Sequence, residues 1–177
     1  FGIVELNADP ALPVTLRGIE PQARARVKKV HEPDPAMTAR VTGRIAAVPP
    51  GRIEEIQPWL REVAAAGRET SVFAGGGAAC EFKLPKPQGA GVAEVVGIPL
   101  KGAGLYVVEI ESLLLGRALL DPPKPMFVPT AVLVTNLAVH FKQGRESSLA
   151  WVTTLDTAAP VAGAAVSVMD CAGRLLW

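Results

Sequence analysis

Apolar and polar residues alternate with a period of two along this chain, in short runs closed by Gly or Pro. In "GLYVVEIES" (104–112), Tyr106, Val108 and Ile110 oppose Glu109 and Glu111. In "ARVTGRIAAV" (39–48), Ala39, Val41, Ile45 and Ala47 oppose Arg40, Thr42 and Arg44. In "VLVTNLAVHF" (132–141), Leu133, Leu137, Val139 and Phe141 oppose Asn136 and His140. A two-residue period puts alternate side chains on opposite sides of a strand, so each run predicts a half-buried strand with one face in water. Further candidates are "PVTLRGI", "ARARVKKV", "CEFKL", "AEVVGIPL", "LAWVTTL" and "AAVSVMD". Most of the 17 Gly and 16 Pro fall between these runs. Short strands so punctuated predict an all-β, antiparallel sandwich rather than alternating β-α units.

One segment has a different period. "RIEEIQPWLREVAAAG" (52–67) gathers Ile53, Ile56, Trp59, Leu60 and Val63 on one helical face, with Gly67 as a stop. Pro58 suits the first turn of a helix, so a short helix is expected over about residues 57–66. It should lie across an open edge or end of the sandwich and pack through Trp59 and Leu60. The proline-rich "GRALLDPPKPMFVPT" is expected to be extended and unpaired, since proline cannot donate to a ladder. A domain boundary is therefore placed near Val128, with one domain over 1–128. Residues 129–177 supply only three strands of a second one, and a sandwich needs about seven.

The 49% hydrophobic content is enough for a packed core. A formal net charge of +1 creates no field toward nucleic acid or an anionic membrane. The basic residues from Arg24 to Lys29 alternate with Ala and Val, as on the solvent face of a strand. No run reaches the ~20 apolar residues of a membrane-spanning helix. "FGIVEL" has neither a basic n-region nor a cleavage box, so no signal peptide is expected, and Phe1 in place of an initiator Met suggests a processed chain or an excised fragment. Cys80 and Cys171 show no metal spacing. Their separation favours two buried thiols over one bridge.

No catalytic, cofactor or metal residue is expected. Gly75-Gly76-Gly77 lacks the Lys-Ser/Thr of a phosphate loop and reads as a plain loop. His31 and His140 sit on different strands and do not converge as metal ligands. Ser147 and Ser148 lack a nucleophile elbow. Glu54 and Glu55, adjacent on a helix, point different ways. Trp59, Trp151 and Trp177 could stack a sugar, but Trp151 alternates with apolar neighbours as a core residue does.

"GLYVVEIES" together with "FVPTAVLVTNLAVHFKQGRESSLAWVTTLDTAAPVAGAAVSVMDCAGRLLW" (127–177) resembles bacterial alpha-2-macroglobulins. "LPVTLRGIEP", "WLREV", "FKLPKP" and "EVVGIPL" look like the preceding domain of such proteins. The resemblance implies fibronectin- or immunoglobulin-like macroglobulin domains. It also implies a parent that traps proteases after cleavage of a bait segment, in the periplasm or cell envelope, with an inner-membrane-anchored lipoprotein as one form. Its partners would be neighbouring macroglobulin domains and, through the parent, target proteases. Many members carry a thioester in Cys-Leu-Glu-Gln. Here "EFK" follows Cys80 and "AGR" follows Cys171, so neither cysteine fits, and no bait stretch is visible. In "DTAAPVAGA", Asp156 and Thr157 should bond locally, Pro160 should fix the exit and Gly163 should permit close backbone approach. The strands from 131 to 170 should expose Leu137, Val139, Trp151, Val166 and Val168, to be covered by docking on the first domain or by pairing with another copy, the arrangement expected here. A carbohydrate-binding or adhesin sandwich is the alternative. It would need aromatic side chains on an exposed face.

Overall fold

Among the described residues seven strands build two facing sheets. They are β1 (Gly2–Glu5), β2 (Ala11–Leu16), β3 (Arg24–His31), β4 (Cys80–Lys83), β5 (Glu94–Pro99), β6 (Gly104–Ser112) and β7 (Met126–Thr135). The larger sheet has the order β1-β7-β6-β3-β4, and β2 pairs with β5 in the smaller. All pairings are antiparallel except β1 with β7. This computed structural model describes residues 2–21, 23–31, 53–75, 79–84 and 93–177, without the side chains of His31, Ile53, Glu54, Glu55 and Phe82. The expected strand over 39–48, Gly76 and Gly77, and the Glu54–Glu55 carboxylates lie outside it.

The alternation explains the layering. In the small sheet Leu12, Val14 and Leu16 face inward opposite Ile98, Val96 and Glu94, while Pro13, Thr15 and Val95 face out. They meet Ala25, Tyr106, Val108, Val132 and Val134 from the large sheet, which form the core with Leu84 and Leu100. The chain is a β-sandwich, as the strand rhythm predicts.

The outer face of the large sheet differs from expectation. Arg24, Arg26, Glu109 and Glu111 share it, yet Glu109 is only 1% exposed and Glu111 is also buried. The cover is α1 (Ile53–Ala65) with the segment after it. The helix begins before the expected 57 and carries Pro58 inside it. At the sixth helical position, beyond the amides that lack an intrahelical partner, the proline removes one bond, to the carbonyl of residue 54, and the helix continues past it. The helix lies on the outer sheet face, against β3, β6 and β7, and not across an edge or end. Ile56 is buried, and Trp59 packs tilted on Phe73 with centroids 5.8 Å apart. Lys28 Nζ sits 4.6 Å over the Trp59 ring.

The proline-rich segment also departs from the expected extended form. It opens with a second helix, α2 (Leu113–Leu119), whose N-cap is Ser112. Glu20 accepts from Ser112 Oγ at 2.7 Å and from the Leu113 amide at 2.8 Å. Gly116 makes the docking possible: a Cβ there would lie 1.8 Å from Lys124 O. Beyond it, β7 runs through Val128 as an interior strand, with Pro129 opposite Glu109. The β1 pairing reaches only back to Val132, so Pro129 has no partner strand on that side to miss its N–H. The junction expected near Val128 therefore falls inside a paired strand. Large-sheet pairing continues to Thr135, through β1.

Candidate functional site

The candidate surface begins where β7 stops. A single residue, Asn136, separates it from β8 (Leu137–Gln143), which pairs with β9 (Ser148–Thr154) in a sheet of their own. The register places Leu137, Val139 and Phe141 beside Thr154, Val152 and Ala150 on one face. The other face carries Ala138, His140 and Lys142 beside Thr153, Trp151 and Leu149. Val139 is 62% exposed and Phe141 57%. The apolar stripe is thus open to solvent. Trp151, expected with Val139 on one inner face, lies on the opposite, mixed face beside His140 and is 50% exposed. One residue of register decides this, because side chains alternate with a period of two.

The turn after β9 follows the local chemistry expected of it. Thr154 Oγ1 and Thr157 Oγ1 are 2.7 Å apart, and Thr157 Oγ1 donates to Asp156 at 3.2 Å. Hydrogen bonds from the Thr154 and Asn136 side chains hold the Asp156 carboxyl below the usual carboxylate range. Pro160 bridges Thr153, so the chain turns back along β9. Gly163 has nothing within 4 Å of a Cβ, but its φ is +70°. It serves the left-handed backbone and not a close approach. "AAVSVMD" is not a regular strand. It makes one bridge, Met169 to Leu175, around a turn in which Asp170 Oδ1 accepts from Ala172 N and Arg174 N, both at 2.9 Å.

Where the hairpin joins the sandwich the groups are polar and buried. Asn136 is 2% exposed, and Thr135 and Thr153 are buried with it. The Leu155 amide donates to Asn136 O at 2.9 Å, and the Leu137 amide to Thr135 Oγ1 at 3.1 Å. The first bond ties the junction to the end of β9, and the second ties the start of β8 to the end of β7.

The second polar constellation lies under α1. Arg26 Nη1 is 2.9 Å from Glu109 Oε1, and Arg26 Nη2 is 2.9 Å from Glu111 Oε2. Arg24 Nη2 is 2.6 Å from Glu111 Oε1, and Arg24 Nη1 is 3.4 Å from Glu81. Glu109 further accepts from Ser71 Oγ at 2.7 Å and Val72 N at 2.8 Å. Two carboxylates on one face suggest general acid–base work, but both are consumed by guanidinium and backbone donors. The arrangement fastens residues 71 and 72 to the sheet. Alternation marked these residues as a solvated face. Opposite charges on paired strands were the one sequence signal of a buried network.

The other singled-out residues do not converge. His140 is exposed, as its polar strand face predicts, and so are Ser147 and Ser148 beyond β8. Gly75 follows a turn and approaches no other group. Cys80, on edge strand β4, and Cys171 are free, but exposed rather than buried. Among the described residues no group of three His, Cys, Asp or Glu is placed to hold a metal.

Residues 134–177 match the family described as the bacterial alpha-2-macroglobulin MG3 domain. No curated protein and no solved structure matches the chain. The family match starts at Val134, two residues before Asn136, where the chain leaves the large sheet for the hairpin. The family match thus begins inside β7, within two residues of the end of the large-sheet pairing. Over residues 134–177 the chain is similar to the MG3 domain of bacterial alpha-2-macroglobulins.

Proposed function

We propose that this chain is a non-catalytic scaffold segment of a bacterial alpha-2-macroglobulin that traps endopeptidases after bait cleavage. The observation that carries this is the coincidence of the MG3 match with the hairpin that emerges at Asn136. The hairpin's apolar stripe of Leu137, Val139, Phe141 and Val152 is the inner face of a macroglobulin domain, to be covered by further strands of that domain. Neighbouring macroglobulin domains are the immediate partners, and proteases are partners of the parent alone. A periplasmic or cell-envelope location, with a role in host defence, goes with this reading.

The exposed aromatic side chains also bear on carbohydrate binding. Phe141 and Trp151 are both open, but they stand on opposite faces of the hairpin. They cannot form one stacking platform, and the neighbours of Phe141 are Val139, Ala150 and Val152, which offer no side-chain hydrogen bonds to a sugar. The scaffold reading accounts for the stripe and the platform reading does not.

The test uses the parent protein and a panel of endopeptidases. Trapping should block cleavage of a large protein substrate and spare cleavage of a small chromogenic peptide. The 177-residue chain alone should do neither. A parent that leaves proteolysis of large substrates untouched across the panel overturns the proposal, and so does glycan binding that is lost in Trp151→Ala.

A further inference from the structure

We propose that α1 is a brace holding the C-terminal hairpin module at a fixed angle to the sandwich, so that the two move as one body. Independent motion is the ordinary expectation for adjoining modules with a small interface. Two features oppose it here. The first is the pivot. Only Asn136 separates β7 from β8, it is buried, and its carbonyl is bonded by the Leu155 amide. A pivot alone still leaves rotation about itself.

The second feature lies off the pivot, at the turn over residues 170–174. Gln57 Nε2 donates to Asp170 O at 3.1 Å, and Arg61 Nη2 donates to Cys171 O. Gln57 and Arg61 are one helical turn apart and share a face. Arg61 Nη2 also donates to Gln57 Oε1 at 3.3 Å, so the two side chains form one fork. The acceptors are main-chain carbonyls, and what presents them is the shape of the turn. Asp170 sets that shape through the amides of Ala172 and Arg174, with Gly173 at φ +84°. The helix that carries the fork is itself fixed to the large sheet. Ile56 is buried there, Trp59 packs on Phe73, and Ser71 and Val72 are held by Glu109. The chain leading to that turn is tied to β9, where Val161 N donates to Val152 O at 3.0 Å, so load applied to the hairpin has two routes into the sandwich, one covalent at Asn136 and one through α1.

Under the trapping function proposed above, rigid transmission of module rearrangement is what such a brace would provide. The brace itself is tested without any protease. Cys171→Ser leaves Cys80 on β4 as the only native thiol, and the contact through the residue 171 carbonyl is retained. Lys142→Cys adds a second label site on exposed β8. Pulsed electron–electron resonance between nitroxides at these two positions should give one narrow distance distribution. Gln57→Ala with Arg61→Ala should broaden it, and Asp170→Ala, which dissolves the turn, should broaden it the same way. Both fork residues lie outside the core, and an unchanged urea midpoint for the sandwich confirms that it is intact. A broad distribution in the parent chain overturns the proposal. So does a distribution that stays narrow in both the fork and the Asp170 variants.

Discussion

Glu109→Ala removes one member of a buried ion pair and strands the donors that faced it. Arg26 keeps Glu111 at 2.9 Å, and about a quarter of its side chain reaches solvent (23% relative exposure). Its loss thus belongs at the low end of the roughly 3–5 kcal/mol typical when a buried pair loses one partner. The buried Val72 amide loses its acceptor, a penalty of about 1–3 kcal/mol where water cannot replace it. These costs overlap because loosening residues 71 and 72 admits water to both groups, so they do not add in full. A net loss of about 3–4 kcal/mol is expected, a large share of the roughly 5–15 kcal/mol that holds a domain together. At about 2–4 °C per kcal/mol for a chain of this size, the melting temperature should fall by roughly 6–16 °C. Glu109→Gln keeps an acceptor for Val72 and the shape of the side chain, and should lose about half as much. Urea titration followed by tryptophan fluorescence measures both, and limited proteolysis at residues 66–75 should speed up in the alanine variant first. A Glu109→Ala midpoint within about 0.5 kcal/mol of the parent, the range of ordinary surface changes, would refute the view that this network fastens the cover.

Glu20 carries a pH dependence. Burial raises its pKa, but hydrogen bonds from Ser112, its own backbone, Leu113 and Leu114 outweigh that and leave it below the ordinary 4.5. Its stabilising effect on the start of α2 is therefore complete above that value and lost as pH falls through the lower folded pKa; Glu20→Gln should flatten this acid limb, and an unchanged limb in stability-versus-pH curves would count against the cap. Gly116→Ala sets a Cβ 1.8 Å from Lys124 O and 2.7 Å from Met126 N. The forced shift should cost more than the ~1 kcal/mol of helix propensity gained, so thermal melts should show net destabilisation, and a rise in melting temperature would mean that α2 is not seated as described. The stripe of Val139, Phe141 and Val152 should drive self-association of the isolated chain through residues 131–170. Light scattering over a concentration series should show it, Phe141→Lys should reverse it, and a parent chain that stays monomeric would contradict the reading.

Strand rhythm was legible because burial on the sandwich side is strict. Leu12, Val14 and Leu16 against Ile98 and Val96 alternate cleanly, and so do Tyr106, Val108 and Ile110. Legibility failed where tertiary partners change what a face meets. Glu109 and Glu111 alternate like solvated residues, and only the helix above them, with arginines on the neighbouring strand, makes burial tolerable. The reading of the proline-rich segment as unpaired met a related limit. Prolines do forbid ladder donors, but one edge of β7 is unpaired at Pro129, so the prohibition does not apply there. Trp151 was misplaced because its apolar neighbours suit either face, and the pairing of His140 with Trp151 decides it. The α2 helix was hidden because "LLLGRAL" has no apolar period and depends on Ser112 and Glu20 to start it.

The chain has two faces that its own sandwich core does not need, and their chemistry separates their roles. The outer face of the large sheet is part apolar, with Leu105, Val107 and Ala131 buried on it, and part charged, and every buried charge there has a partner supplied by the chain: Glu109 by Arg26, Ser71 and Val72, and Glu111 by Arg24 and Arg26. Such a face accepts one cover with matching donors, because any other would leave a charge buried and unpaired. The hairpin's apolar stripe is the reverse. It presents Leu137, Val139, Phe141, Ala150 and Val152 and asks for nothing but apolar area and a fitting shape. Specific recognition of a small ligand needs convergent polar groups to fix orientation, and the stripe has none. What such a surface does select is a sheet of matching curvature brought to it by chain connectivity, which is how sandwiches close. On the scaffold reading proposed above, the buried polar junction at Asn136 and the fork of Gln57 and Arg61 would set the direction in which such a sandwich is built. Orientation is encoded in the polar contacts and closure in the apolar ones, a division of labour suited to one link in a train of modules.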